Sequence, residues 1–365
     1  MAGVLDADTH VLEHEGMWEG FDDGGPMYPY RPLLVNLPTD TSWGNRNAFW
    51  LIDGEMYPKA AGRNAFPLHT PTTAAAEMER TDISLGARWM TSVSERVGDM
   101  DERGVAVQIV FPTVFLALGI QIPELEIAIC RAYNRFMAAA CAESANRLRF
   151  VATLPFQSRD AAIAEMNRAK EARAAGLFFR YVETERSLGD PYFDPIYEEA
   201  NRLRLPVCLH TGRALFSATG PVAGGSNAAA AFTSLVSRRV PERYPDLKFG
   251  FVEFGSMWLP ETSHRFLRQQ KRTYVGPTSP STRAARFDAQ LLKDYRIFIA
   301  CFADDNLPSV LQYSGPDNLM AGSDYVHQDP AQEVHMVDDL RARGDVDPDV
   351  IERILCDNPR NFYAL

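Results

Sequence analysis

Apolar positions fall along this chain in two styles. From about residue 20 to 100 the sequence is rich in Pro, Gly, Trp and Tyr and shows no sustained periodicity. From residue 105 onward, short continuous apolar runs alternate with stretches of helical spacing. The runs are VAVQIVF (105–111), RFVATLPF (149–156), GLFFRY (176–181), LPVCLH (205–210), LKFGFVEF (247–254), RIFIAC (296–301) and NLMAGSD (318–324), and VLDADTH at the start makes eight. Apolar runs of roughly four to eight residues without alternation predict strands buried on both faces. Between them lie PELEIAICRAYNRFMAAACAESANRL, SRDAAIAEMNRAKEARAAG, PYFDPIYEEANRLR, ETSHRFLRQQKRTY and PAQEVHMVDDLRAR, each with an apolar stripe at helical spacing. Parallel strands with helical crossovers follow. Eight units in one chain fit an α/β fold of the (β/α)8 barrel type better than an open sheet. The prediction is one domain, residues 1–365, with residues 20–100 inserted between strands one and two as a lid or arm. Inside that insertion, FWLIDGEMYP (49–58) predicts a hairpin turning at Asp53-Gly54.

In such barrels chemistry gathers where the strands end. Strand one ends on Asp8 and His10, two apart and so on one face, with Glu13 just beyond. Strand five ends on His210, strand six on Glu253 and strand eight on Asp324, followed by His327. Singly, each has a plain structural role: a histidine satisfied in the core, or a carboxylate capping a helix. Together they put several carboxylates at one mouth, a costly burial unless a cation is present. A metal centre is the prediction. His327 is either a hydrogen-bond partner of Asp324, a substrate contact or a helix cap. Arg180, ending strand four, meets either an anionic substrate group or a neighbouring carboxylate. Asp304 and Asp305 are read as turn residues, and His14, His69, His264 and His335 as ordinary.

Composition narrows the partners. A net charge of −11 argues against nucleic acid or an anionic membrane surface. No apolar run reaches the length of a membrane span, and the start lacks a signal-peptide pattern, so a cytoplasmic location is expected. Five scattered cysteines without a CxxC read as buried free thiols.

Taken together, DADTHVLE, LPVCLHTG, FVEFGSMWLP, GSDYVH and the terminal ILCDNPRNFYAL resemble the amidohydrolase superfamily, closest to its amidohydrolase-related branch of metal-dependent enzymes. AYNRF (132–136) and GDPYFDPIYEEA (189–200) match the same branch. The resemblance implies metal ligands at Asp8, His10, His210 and Asp324. Glu253 stands where related enzymes often carry a histidine. Strand four has Arg180 and no lysine, so the carbamylated bridge of dinuclear hydrolases is absent. Family membership alone leaves the reaction open.

The ligand inventory of Asp8, His10, Glu13, His210, Glu253 and Asp324 holds four carboxylates and two imidazoles, enough negative charge for two divalent ions and a set that suits iron or manganese. One branch of the superfamily, nonheme di-iron monooxygenases of platensimycin and platencin biosynthesis, is similar in its DxDxHxxE opening and its strand-six glutamate. That resemblance implies two iron ions, hydroxylation of an apolar terpenoid acyl-CoA thioester for antibiotic biosynthesis, and electrons from a ferredoxin and its reductase. No dinucleotide-binding glycine motif is present to supply them otherwise. Trp43, Phe49, Trp50, Tyr57 and Phe66 would then form an apolar lid, or simply pack the insertion onto the barrel. The alternative is a redox-neutral decarboxylase or hydrolase with one zinc or manganese, in which Asp324 is the general base and His327 or Glu253 assists. A homo-oligomer formed through the insertion is a further expectation.

Overall fold

The computed structural model describes residues 3–36, 48–58, 82–212, 224–271, 289–327 and 331–365. Eight strands form one sheet in chain order: β1 (Val4–Val11), β2 (Val105–Pro112), β3 (Leu148–Ala152), β4 (Gly176–Arg180), β5 (Val207–His210), β6 (Phe249–Val252), β7 (Ile297–Cys301) and β8 (Leu319–Ala321). The neighbouring pairs from β1 to β8 are all parallel. Past β8 the chain returns to β1: the Asp324 N–H donates to Asp8 O at 3.0 Å and the His10 N–H to Tyr325 O at 2.9 Å. The sheet is therefore a (β/α)8 barrel, and all eight apolar runs became its strands.

The strands are buried throughout because helices cover them outside and side chains fill them inside. Pro123–Ala142 starts on proline, whose missing N–H costs nothing at a helix start. Arg159–Glu171 is capped by the Ser158 hydroxyl, which accepts from Ala161 N–H. Gly224–Ser237 was not anticipated, since its GGSNAAAAFTSLVS run carries only small, uncharged polar residues opposite its buried alanine, phenylalanine and leucine face and so makes a weak stripe. The C-terminal helix Asn358–Tyr363 plugs the end of the barrel away from the mouth. Phe362 occupies the space that Gly250 leaves on β6, and the Tyr363 hydroxyl donates to Ala7 O at 2.8 Å. All five cysteines are buried and free. Among the described residues, no helix is long and apolar enough to cross a membrane.

Between β1 and β2 lies an antiparallel sheet of Leu33–Asn36, Ala48–Ile52 and Glu55–Pro58. Its hairpin turns at Asp53 (φ 52°) and Gly54 (φ 78°), the pair of left-handed residues a tight two-residue turn requires. Val93–Glu102, within the span read as insertion, is the crossover helix leading into β2. Trp50 and Tyr57 are buried, and Trp50 meets Trp18 edge-on at 6.2 Å, so these two aromatics pack the insertion down. Trp43, Phe66 and His69 lie outside the described residues.

The seam between β8 and β1 leaves no room for a side chain at Gly322, where a Cβ would collide with Asp8 Cβ. Gly322→Ala is expected to destabilise the protein by about 1–3 kcal/mol in urea unfolding, as overpacked cores do. Gly98→Ala, on an open face of the crossover helix, is expected to raise stability by about 0.5–1 kcal/mol. Equal effects would show that the seam is not tight.

Candidate metal centre

Four strand ends deliver six side chains to one mouth. β1 supplies Asp8 and His10, with a register shift between Asp6 and Thr9 that sets Asp6 apart, bonded to Ser323 N–H at 2.9 Å. β5 supplies His210, the residue after β6 is Glu253, and the chain past β8 supplies Asp324 and His327. Glu253 (φ 62°) and Asp324 (φ 52°) both hold a left-handed backbone, a conformation costly for residues with a Cβ and concentrated at functional sites.

The donor atoms form two overlapping groups, each within 4.8 Å: Asp8, His10, His210 and Glu253, and His10, Glu253, Asp324 and His327. His10 Nε2 stands 3.5 Å from Asp8 Oδ1 and 3.4 Å from Asp324 Oδ1. His210 Nε2 stands 3.5 Å from Asp8 Oδ1 and 3.0 Å from Glu253 Oε2.

Hydrogen bonding fixes what the two rings present. His10 Nδ1 lies 3.1 Å from Pro112 O, and His210 Nδ1 lies 2.9 Å from Thr211 O. A carbonyl only accepts, so each Nδ1 carries the hydrogen and Nε2 is the nitrogen turned inward, the one whose lone pair a metal would take. Burial keeps His10 below its ordinary pKa and so neutral, against the pull of Asp8. Asp8 is ionised: burial alone would raise its carboxyl, but the pull of a positive charge at His210 and His10 brings it well below the usual carboxylate range, a pull that a cation between them supplies when the rings are neutral. Asp8 Oδ1, His10 Nε2 and His210 Nε2 are buried without a hydrogen-bond partner. Lone pairs turned on an anion at these distances repel unless a cation stands between them. The residues fit a divalent metal, with the outer ring nitrogens oriented as metal-bound histidines orient theirs.

His327 is held differently. Its Nδ1 is 2.7 Å from Asp324 Oδ1 and its Nε2 is 2.8 Å from the Thr113 hydroxyl, while its ring stacks on His10 at 3.8 Å. Of the sequence alternatives, the pairing with Asp324 is the one the structure contains, as a close charge contact. Glu13 departs from expectation. Its carboxylate accepts the Thr113 N–H at 2.8 Å and the Val114 N–H at 3.0 Å, and it belongs to neither donor group. The reason is geometric: β1 ends at Val11, so residue counting no longer says which way Glu13 points. Thr113 was missed, because a lone threonine after a strand carries no signal. Arg180 pairs with Glu183, Nη2 to Oε2 at 2.6 Å and Nε to Oε1 at 3.0 Å. Asp305 takes the Ser256 and Phe302 amides, a turn role. His14 accepts the Gly16 N–H and packs its ring between Trp89 and Phe136, away from the donor groups.

Residues 6–365 match the family described as Amidohydrolase, and the chain belongs to that family. Among similar solved structures is an amidohydrolase from Mycobacterium avium subsp. paratuberculosis K-10, at 17% identity and TM-score 0.75, covering 100% of this chain and 98% of that one. A dihydroxybenzoic acid decarboxylase from Polaromonas sp. JS666, with bound manganese and the inhibitor 2-nitroresorcinol, is 18% identical with TM-score 0.66, covering 100% and 98%. A 5-carboxyvanillate decarboxylase from Novosphingobium aromaticivorans DSM 12444, also with bound manganese, is 19% identical with TM-score 0.65, covering 80% and 86%. At these identities the likeness shows the fold. These neighbours lend no support to two irons or to a monooxygenase of antibiotic biosynthesis.

Asp8→Asn and His210→Ala are expected to lose bound manganese in equilibrium dialysis. Glu13→Gln is expected to keep the wild-type stoichiometry, and loss of a full metal equivalent from it would return Glu13 to the ligand set.

Proposed function

We propose that this member of the amidohydrolase family is a redox-neutral enzyme that uses one divalent ion, manganese or zinc, to decarboxylate a small organic acid. Hydrolysis of a related acid derivative is the nearest variant. The observation that carries the reading is the pair of inward Nε2 lone pairs facing the ionised Asp8 at the C-terminal mouth of the barrel. Its support from outside the chain is that two structural neighbours are decarboxylases with bound manganese.

A bound ion would withdraw electron density from substrate oxygens and lower the pKa of an adjacent water. Asp8, His10, His210 and Asp324 would hold it. The chain's own residues do the rest. His327, fixed between Thr113 and Asp324, keeps the Asp324 carboxyl in one orientation. Decarboxylation breaks a carbon–carbon bond, leaves the electron pair on the substrate carbon and releases CO2. A proton must replace it, and Asp324 with His327 behind it is the acid–base pair at the mouth placed to hold that proton. Phe111, whose ring is 5.1 Å from His210 and 5.9 Å from His10, keeps water from that side.

A two-iron monooxygenase is the second reading. Its support is that the donor residues form two overlapping groups, Asp8, His10, His210 and Glu253 beside His10, Glu253, Asp324 and His327, whose carboxylates could balance two divalent ions. On that reading an apolar acyl-CoA thioester is the substrate and ferredoxin the electron donor.

Metal analysis of protein purified without chelator, combined with CO2 release from 2,6-dihydroxybenzoate and related phenolic acids, tests the two readings. One manganese or zinc per chain, CO2 release and no oxygen uptake are expected. Asp324→Asn is expected to lower kcat by about 10²- to 10⁴-fold, the usual worth of a general acid–base group. Two irons per chain, with oxygen consumed by the reduced protein, would replace this reading by the second.

A further inference from the structure

Beside the metal centre, under the loop that follows β2, lies a cavity of about 240 Å³. It borders the centre through Phe178, whose ring is 6.2 Å from that of His210. Phe115, Phe156 and Phe178 form its apolar walls. Its charged groups do not balance. Arg180 is occupied by both oxygens of Glu183 and by the Leu118 carbonyl. Glu126, in the first turn of the Pro123–Ala142 helix, then stands without a cation of its own. Its Oε2 accepts the Gln157 N–H at 3.0 Å, and among the described residues no Lys or Arg makes an ion pair with it. The amide and the helix N-terminus give partial, uncharged compensation. Burial raises the Glu126 carboxyl to about 7, helped by Glu183 and opposed by Arg180.

A carboxylate kept in a partly dry pocket with no counter-ion costs stability that a ligand cation would restore. Aromatic faces around it favour the same ligand, because a cation is attracted to the ring quadrupole. The one guanidinium is neutralised by Glu183, and Glu126, Glu183 and Glu185 outnumber it among the lining residues, so the cavity as a whole favours a cation over an anion.

We infer that this cavity is a subsite for a protonated amine, held between Glu126 and the phenylalanine rings, and that it turns away a second anionic group. A substrate reaching from the metal centre into it would be an amino-substituted acid. The placement of its acid end rests on the decarboxylase reading; the amine end does not. Glu126 is a specificity residue here, distant from the proton transfer at Asp324.

Isothermal titration of the manganese-loaded full chain with benzylammonium chloride, benzyl alcohol and sodium benzoate tests the subsite, since the three probes differ mainly in charge. Benzylammonium is expected to bind about tenfold more tightly than benzyl alcohol, the worth of one charge-assisted hydrogen bond with aromatic contact. Glu126→Gln is expected to bring the two to near equality while folding with a thermal midpoint at or above that of the wild type, and Glu126→Asp to keep part of the preference. A preference that survives Glu126→Gln, or equal binding to the wild type, overturns the subsite. His210→Ala separates it from the metal centre. An ammonium preference retained in that variant supports the subsite whatever the reaction proves to be. A preference lost with the metal ligand would place the cation at the acidic cluster and overturn the subsite, leaving the decarboxylase reading to its own assay.

Discussion

Two imidazole lone pairs aimed at an ionised carboxylate in a dry space cannot be left as they are. The carbonyls of Pro112 and Thr211 fix both rings from behind, so a neutral His10 or His210 cannot turn a hydrogen toward Asp8 without giving up a buried bond. The arrangement is preorganised for a cation, and the barrel is what sets it. The donor side chains come from four different strands, two of them from β1, and only closure of β8 onto β1 brings Asp324 to within 3.4 Å of His10 Nε2. The same closure passes over Gly322, where no side chain fits. Fold closure and metal-site assembly are thus one structural event at this seam.

Behind the ligands stands a layer of positioning contacts. Arg96, fully buried, donates to His10 O at 2.7 Å and to the Thr9 hydroxyl at 2.9 Å, and lies over the Tyr325 ring at 4.7 Å. It clamps β1 to the segment carrying Asp324. Glu13 holds the Thr113–Val114 backbone, Thr113 holds His327, and His327 holds Asp324. A residue that looked like a ligand in sequence therefore acts three contacts away, by fixing the loop on which the others depend.

What could be read in the sequence follows from this division. Strands buried on both faces must be continuously apolar, so all eight were visible as runs, and ligand types at their ends stood out against that background. Asp8, His10, His210, Glu253 and Asp324 were found in that way. The period of two stops at the strand end, so Glu13 falls outside the two donor groups while Asp8 and His10 fall within them. Thr113 and Arg96 were invisible because their roles lie in a single long-range hydrogen bond or clamp that leaves no local pattern. The left-handed backbones of Glu253 and Asp324 were equally hidden, since nothing in a residue's type reports φ. Glu126 looked like an ordinary first-turn acid, and only the pairing of Arg180 with Glu183 exposes it as an anion without a cation.

The two buried acidic regions at this mouth obey the same electrostatics and reach opposite solutions. At the metal centre, Asp8 is held ionised and the lone pairs face inward, so the site is complete only around a small hard cation. At Glu126 the surroundings are apolar rings and one neutralised guanidinium. Its carboxyl is pushed up toward neutrality, a state that accepts or gives up a proton according to what enters. A metal ion would find there no imidazole and, with Glu183 taken up by Arg180, a weak carboxylate at Glu126, whereas an ammonium on an apolar stem would find a hydrogen-bond acceptor and aromatic faces. The cavity therefore separates inorganic from organic cations by the chemistry of its walls, and it does so one ring away from His210.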